Sequence, residues 1–428
     1  MDVSKIRRDF PFLKQKVSGK RIIYFDNAAT TQKPVQILNT IRTFYSKYNA
    51  AVSRSTHEIS NTATTMYRQA HDNVARFIGA KSYQEIIFVR NSTEAINLVC
   101  YSLAFCADKT IGLAPGDEII IPLLEHHSDL VPWQRLKELF GITIKVVGIS
   151  DKGTVDPDDI RKLITQKTRF VCCAHVSNVL GTINPVKEIA RIAHEAGALF
   201  LVDGTQSAPH MPVNVHDIDC DFFAFSGHKM LAPLGIGALY GKKDLLGKMP
   251  PFLSGGGMIA DVTLECATWN ELPWKFEAGT PEVCGAIALA GAIDTNSGDV
   301  LEGAIDYLGK IGMENVFRHE TELAGYALER LRAIDGIIVY APAESESRCG
   351  IISFNVVKED KVVDPNIIAN FLNEDGIAVR AGGLCAFPLT RSLNAGGVVR
   401  VSFYLYNTTE EIDIFIGSLN SIISQKII

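Results

Sequence analysis

Lys229 stands in AFSGHKMLAPLGIGALYG (224–241), where the strand-forming run Asp221 to Phe225 passes into Ser226-Gly227-His228-Lys229 before a second, glycine-studded apolar run. An ammonium at a strand end in so apolar a stretch either snorkels to water or is there for its amine. Desolvated beside other cationic or polar groups, such an amine has a lowered pKa and attacks carbonyls to form a Schiff base. Other residues able to do chemistry close apolar runs in the same way. Arg90-Asn91-Ser92-Thr93 follows EIIFV, Glu125-His126 follows DEIII, His175 and Asn178 follow RFVCCA, and Asp203 with Gln206 follows ALFLV.

These residues share one edge if the runs form the sheet that their pattern predicts. Between about residue 85 and 241 the chain repeatedly reads apolar run, polar turn, helix. GITIKVVGI (141–149) is a further run, and PVKEIARIAHEAG (185–197) is a helix whose Val186, Ile189, Ala190 and Ala193 share one face and whose Gly197 suits its C-terminus. Short runs apolar on both faces, alternating with helices, predict a doubly wound, mostly parallel sheet covered on both sides. In such sheets ligands bind beyond the carboxyl ends of the strands.

After about residue 295 a helix, VFRHETELAGYALERLRAI, precedes clustered strands in GIIVYAP, CGIISFNVV, GIAVRAGG and VVRVSFYLYNT, and a last helix opens with Thr408-Thr409-Glu410-Glu411, a capping box. The chain is therefore expected to be α/β, with a large domain over 20–295 and a smaller α+β domain from 1–19 and 296–428. SGGGMIADVTLECATWNELPWKFEAGTP (254–281) reads as a loop carrying a β-hairpin.

With 428 residues, 47% hydrophobic, a formal net charge of −6 and a pI near 6.0, the chain has an ordinary globular composition and no basic run to serve nucleic acid. Its first residues, MDVSKIRRDFPFLKQK, lack a continuous apolar segment, and no apolar run reaches the length of a membrane span, so a cytoplasmic protein is expected. Cys100, Cys106, Cys172, Cys173, Cys220, Cys266, Cys284, Cys349 and Cys385 form no CxxC pair and no zinc-type spacing with histidine. No metal is expected, and most of these thiols read as small buried apolar groups.

Each strand-end residue has an ordinary reading beside its chemical one. Ser92 and Thr93 open a helix, either as N-caps or as donors to a phosphate. Asp203 before Gly204 either forms a turn or keeps a ring nitrogen protonated, and an unpaired carboxylate there would be costly. His126 either packs and caps or offers a flat face to an aromatic ring, while Ser226 and His228 either close a turn or bind phosphate. No P-loop or GxGxxG spacing occurs, so a nucleotide is not indicated. A lysine amine, a phosphate cup, a stacking imidazole and a carboxylate for a pyridinium are together the equipment for pyridoxal phosphate, an electron sink.

YFDNAATTQKP (24–34), RNSTEAINLV (90–99), EHHSDLVPWQ (125–134), HVSNVLGTINP (175–185), VDGTQSAPH (202–210), SGHKMLAPLGIG (226–237), WKFEAGTPE (274–282) and RVSFYLYNT (400–408) resemble group II (SufS-type) cysteine desulfurases, fold-type I pyridoxal-phosphate enzymes that are homodimers. The likeness runs nearly end to end, in register. It implies that Lys229 carries the cofactor as a Schiff base and moves the substrate proton. Asp203 then pairs with the pyridinium, His126 stacks on the ring and assists catalysis, and Asn178 and Gln206 contact the hydroxyl side of the ring. Ser92, Thr93, Ser226 and His228 match phosphate-binding positions, with Thr280 contributed by the partner subunit. Arg400, with Arg380 and Asn178 as further substrate contacts, matches the residue that grips the substrate carboxylate, although an arginine opening a strand is ordinarily a solvated edge residue.

Cys385, in GIAVRAGGLCAFP, falls at the position of the family's nucleophile, with Arg380 nearby to favour a thiolate. The implied reaction converts L-cysteine to L-alanine, captures sulfur as a persulfide on Cys385 and passes it to an acceptor protein for iron-sulfur cluster assembly. A selenocysteine lyase or a cystine-type C–S lyase on the same scaffold is the neighbouring alternative. A non-catalytic partner protein is a third, against which Lys229, Asp203 and Arg400 together argue. Two positions depart from the family: Gly383-Leu384 stand where a histidine pair usually precedes the cysteine, and Ser53, before Arg54, stands where a histidine is common.

Overall fold

The apolar runs of the first part of the chain become seven strands in a computed structural model that describes residues 1–53, 55–150, 152–340, 348–393 and 395–424; Arg54 and the end of the 336–342 run lie outside these. The strands are β1 (Ile86–Val89), β2 (Glu118–Pro122), β3 (Thr143–Val147), β4 (Thr168–Ala174), β5 (Leu199–Asp203), β6 (Phe222–Ser226) and β7 (Gly237–Gly241), ordered β1-β7-β6-β5-β4-β2-β3. Neighbours from β6 to β3 are parallel, and β7 runs antiparallel to β6 and β1. The link from Ser226 to Gly237 is too short for a parallel crossover, so the chain turns back.

Successive residues of a strand point to opposite faces, and the core divides accordingly. Phe88, Ile120, Val171, Phe200 and Phe223 pack on one side against Met66 and Val74 of helix Glu58–Ile78 and Ile189 of helix Val186–Glu195. Ile87, Ile121, Phe170, Leu201 and Phe222 pack on the other against Ile96 and Val99 of helix Ser92–Ala104 and Trp133 of helix Val131–Phe140. Two helix-covered faces make the sheet doubly wound, as the sequence pattern predicts. Gly197, at φ +71°, follows the Val186–Glu195 helix in the left-handed conformation that a helix end favours.

A second, antiparallel sheet orders Ile337–Tyr340, Ile351–Lys358, Val398–Ser402 and Arg380–Gly382 side by side. Helices Met313–Arg332 and Thr409–Ser424 cover it, with Leu323, Leu328, Phe415 and Leu419 against Ile352, Phe354, Val399 and Val401. The capping box is present: the Thr408 N–H donates to Glu411 Oε2 at 3.2 Å and the Glu411 N–H to Thr408 Oγ1 at 3.3 Å. The hairpin joins Ile259–Val262 to Ala267–Trp269.

GIAVRAGG is not one strand. Ile377–Ala378 pairs in parallel with Ile23–Tyr24, and only Arg380–Gly382 joins the second sheet. The split draws Asp26 alongside Ser402, next to the carboxyl edge of the large sheet. Among the described residues no helix is long and apolar enough to cross a membrane.

Gly204 shows how tightly the end of β5 is built. A Cβ there would lie 1.9 Å from Cζ of the buried Phe223. Gly204→Ala is expected to destabilise the protein by about 2–3 kcal/mol through overpacking, read as a lower midpoint of chemical unfolding. An unchanged midpoint would show that Phe223 can move aside.

Candidate active site

Strand register sets the site. Ala174, Asp203 and Ala224 lie in one row across β4, β5 and β6, so the residues that follow these strands emerge together. Gly237 pairs with both Ser226 and Val89, which brings the Ser92 helix start against the end of β6. The Ser92 N–H donates to Ser226 Oγ at 2.8 Å, and the two hydroxyls lie 2.9 Å apart. The helix is capped not by Ser92 or Thr93 but by Asn91, whose Oδ1 accepts the Glu94 N–H at 3.0 Å. The serine and threonine are thereby free of the capping duty.

A cavity of about 300 Å³ opens over this edge, lined by Ser92, Thr93, His126, Asn178, Ser226, His228, Lys229, Arg380, Cys385 and Arg400. A small recess beneath it is lined by Asp203, Thr205 and Gln206 together with Ser92, His126, Asn178 and Lys229. Asp203 forms the turn and still faces the recess: its Oδ1 accepts the Thr205 N–H at 2.9 Å. Glu125 and Asp129 are fully buried nearby, and burial first, then neighbouring carboxylates, push both carboxyls up. Burial thus favours the neutral form of these carboxyls over further negative charge beside Asp203.

Burial first, then the Lys229 ammonium, lowers His126 to about 4, so it is a neutral ring at neutral pH. Its Nδ1 accepts the Ser128 N–H at 3.1 Å, and Ser128 Oγ lies 2.6 Å from Thr93 Oγ1. His228 is lowered to about 4 chiefly by burial. Lys229 is lowered to about 8 by burial and then by the Arg400 guanidinium. Its amine thus exchanges a proton within reach of neutral pH.

Arg400 is 3% exposed on an inner strand of the second sheet, not a solvated edge residue. Nη1 donates to the Asn178 carbonyl at 2.8 Å and Nη2 meets Asp26 Oδ1 at 3.2 Å. Arg380 reaches the other oxygen of Asp26 at 3.0 Å. Of the nine cysteines, Cys100, Cys172, Cys173, Cys220, Cys284 and Cys349 are buried, and only Cys266 and Cys385 are exposed. Cys385 lines the cavity and Cys266 lies near the hairpin turn. Phe387 covers Gly383, where a Cβ would sit 2.2 Å from its ring, so a larger residue at 383 requires that ring to move. Thr280 is not brought to this cavity within one chain; it lines another hollow with Arg90, Glu94 and Glu282. Ser53 lies outside the cavity lining and donates its N–H to Thr64 Oγ1 at 2.9 Å.

Sequence reasoning gave no role to Asp26, Lys33 or His127. Lys33, lowered to about 7 by burial, donates to the carbonyls of Thr31 at 2.6 Å and His228 at 2.9 Å. Asp26 sits in the quoted YFDNAATTQKP run, which was its only signal.

The residues present suit pyridoxal phosphate. Gln206 Oε1, Thr205 Oγ1, His228 Nδ1 and Arg400 Nε are buried without a partner among the described residues. Buried polar groups left unmatched are costly, and these four belong to residues lining the cavity or its recess, where a polar ligand would complete their bonding. A helix start whose hydroxyls are released from capping suits a phosphate, Asp203 suits a protonated ring nitrogen, and Lys229 suits an aldehyde.

The comparisons agree. The class-V aminotransferase family matches residues 23–415. A probable cysteine desulfurase of Halalkalibacterium halodurans is 48% identical over 96% of both chains, and a cysteine desulfurase of Haloferax volcanii is 44% identical over 98% of this chain and 97% of its own. The apo structure of a cysteine desulfurase from Thermococcus onnurineus superposes with a TM-score of 0.89 at 37% identity, covering 99% of this chain and 98% of that one. With the family matched over nearly all of its length and relatives this close, the chain belongs to the class-V aminotransferases and, among them, to the cysteine desulfurases.

Proposed function

We propose that this chain, with pyridoxal phosphate, converts L-cysteine to L-alanine and that Cys385 receives the sulfur. The observation that carries this reading is that Lys229, Arg400 and Cys385 line one cavity. Lys229, Asp203, His126, Asn178, Gln206, Ser92, Thr93, Ser226 and His228 would hold the cofactor. When bound, it supplies an electron sink that acidifies the substrate Cα proton.

The chain's residues do the rest. Lys229, lowered to about 8, accepts that proton near neutral pH. Asp203 provides negative charge for the ring nitrogen, and neutral His126 adds no competing positive charge. Arg400 holds the substrate carboxylate and thereby fixes where the substrate thiol points. Cys385 Sγ then attacks the substrate sulfur. The S–S bond forms as the Cβ–S bond breaks, the bonding pair goes to carbon, that carbon takes a proton to become the methyl of alanine, and Lys229 returns a proton to Cα. Cys385 is left as a persulfide, and sulfur leaves by exchange with a thiol of an acceptor protein serving iron-sulfur assembly. We further propose a cytoplasmic homodimer in which the partner's Thr280 completes the phosphate site.

The test is L-cysteine turnover with a thiol reductant. Equal amounts of alanine and sulfide from a yellow, borohydride-sensitive protein are expected. A yellow protein that makes neither overturns the substrate assignment and directs the search to selenocysteine or cystine.

Arg400→Lys tests the carboxylate grip. Lysine cannot present the planar fork, and it leaves Asp26 and the Asn178 carbonyl differently satisfied. KM for L-cysteine is expected to rise by about 10- to 100-fold, the worth of a charged hydrogen bond, with a smaller change in kcat. An unchanged KM removes Arg400 from substrate binding.

A further inference from the structure

We infer that His127 is a positioning residue that clasps the loop bearing the nucleophile, an inference that rests on Cys385 as the sulfur acceptor. Leu384 and Cys385 have φ of +50° and +55°, two successive side-chain-bearing residues in the left-handed region. Such backbone persists only when its surroundings hold it. The His127 N–H donates to the Cys385 carbonyl at 2.8 Å, and its ring Nε2 accepts the Phe387 N–H at 3.0 Å. The imidazole also stands edge-on to the Phe387 ring at 4.8 Å between centroids. From the other side Asn178 Nδ2 donates to the Leu384 carbonyl at 2.7 Å. His127 therefore grips the chain immediately after the Cys385 side chain, through its backbone and through its ring, while Asn178 holds the carbonyl immediately before it.

The grip through the ring exists only for neutral imidazole with its proton on Nδ1, because Nε2 must accept. Burial lowers the His127 pKa and favours that form. Protonation would set one N–H against another and open the ring contact. The titratable and charged groups around it are His126, with ring centroids 6.3 Å apart, the Cys385 thiol, and Arg391, which lies 5.8 Å from the Phe387 ring. His126 is itself neutral near pH 7 and adds no opposing charge there.

The experiment compares wild-type holoenzyme with His127→Phe, which fills the ring space without an acceptor, and His127→Gln, which places an amide oxygen near Nε2. Single-turnover persulfide formation on Cys385 is read by mass spectrometry, and exchange of the substrate α-hydrogen with deuterated solvent reports Lys229 separately. His127→Phe is expected to slow persulfide formation by about tenfold or more, as displacement of a reacting group does, with α-hydrogen exchange near wild type and His127→Gln largely restored. In wild type the rate also falls in acid where His127 gains its proton, a limb absent from His127→Gln. Equal persulfide rates in wild type and His127→Phe, or a His127→Gln as slow as His127→Phe, would overturn the inference.

Hydrogen–deuterium exchange of residues 383–390 reads the clasp without chemistry: faster exchange in His127→Phe than in His127→Gln supports it, and equal exchange overturns it. A wild type that exchanges α-hydrogen but never forms a Cys385 persulfide would instead overturn the nucleophile assignment, with the exchange comparison still deciding the clasp.

Discussion

Lys229→Ala is expected to lower alanine formation by about 10⁴-fold or more, the upper range for loss of a general base, and to abolish fixation of the cofactor to the chain by borohydride. Two duties fall on this one amine, a covalent bond to an aldehyde and transfer of the Cα proton, and both require an accessible nitrogen that sheds its proton near neutral pH. Lys229 meets the requirement because burial and the Arg400 guanidinium lower it to about 8. Lys33, which reaches this turn from a distant segment, cannot take over. Lys33 is lowered even further, but its Nζ is committed to the carbonyls of Thr31 and His228, and it does not line the cavity. Mass analysis of borohydride-treated wild type should place the cofactor on the peptide holding Lys229. A label on Lys33, or a Lys229→Ala enzyme within tenfold of wild type, would sink the assignment.

The edge of the large sheet was legible in the sequence for a physical reason. A parallel strand covered on both faces is apolar throughout, so the first polar residue after each run marks the carboxyl end, where such sheets bind ligands. Ser92, His126, Asp203 and Lys229 were found in that way, and the structure lines one cavity and its recess with them. What pattern could not supply was pairing across long separations. Asp26 meets Arg400 from 374 positions away, and Lys33 meets the His228 carbonyl from 195. Such contacts arise where segments far apart in the chain meet beside the large sheet's edge, which no local periodicity encodes. The GIAVRAGG run misled because one apolar stretch serves two different sheets. Cys385 is a further case: nothing in spacing separates it from eight other cysteines, and it was singled out by resemblance together with its Gly-rich loop and the nearby Arg380. The structure adds an independent reason, since burial leaves only Cys266 and Cys385 exposed and the cavity takes only the second.

That separation makes the last prediction decisive. Cys385→Ala is expected to reduce sulfur release from L-cysteine by about 10³-fold or more, on the scale by which activated nucleophiles and their partners contribute, while the yellow colour and borohydride fixation at Lys229 persist. Alanine is the right replacement because it carries a Cβ into the same +55° backbone, so the loop keeps a similar conformational cost and only the sulfur is removed. The protein should still exchange the substrate α-hydrogen, since that step needs Lys229 and Arg400 and not the thiol. Cys266→Ala is the matched control: it removes the other exposed thiol, lies near the hairpin turn away from the cavity lining, and is expected to leave turnover within about twofold, as surface substitutions do. Retained turnover in Cys385→Ala would mean that sulfur leaves without a protein acceptor. Selenium, which leaves carbon without needing a thiol, offers the finer division: a Cys385→Ala enzyme dead toward cysteine but active toward selenocysteine would show that Lys229 chemistry is intact and that the thiol serves sulfur capture alone.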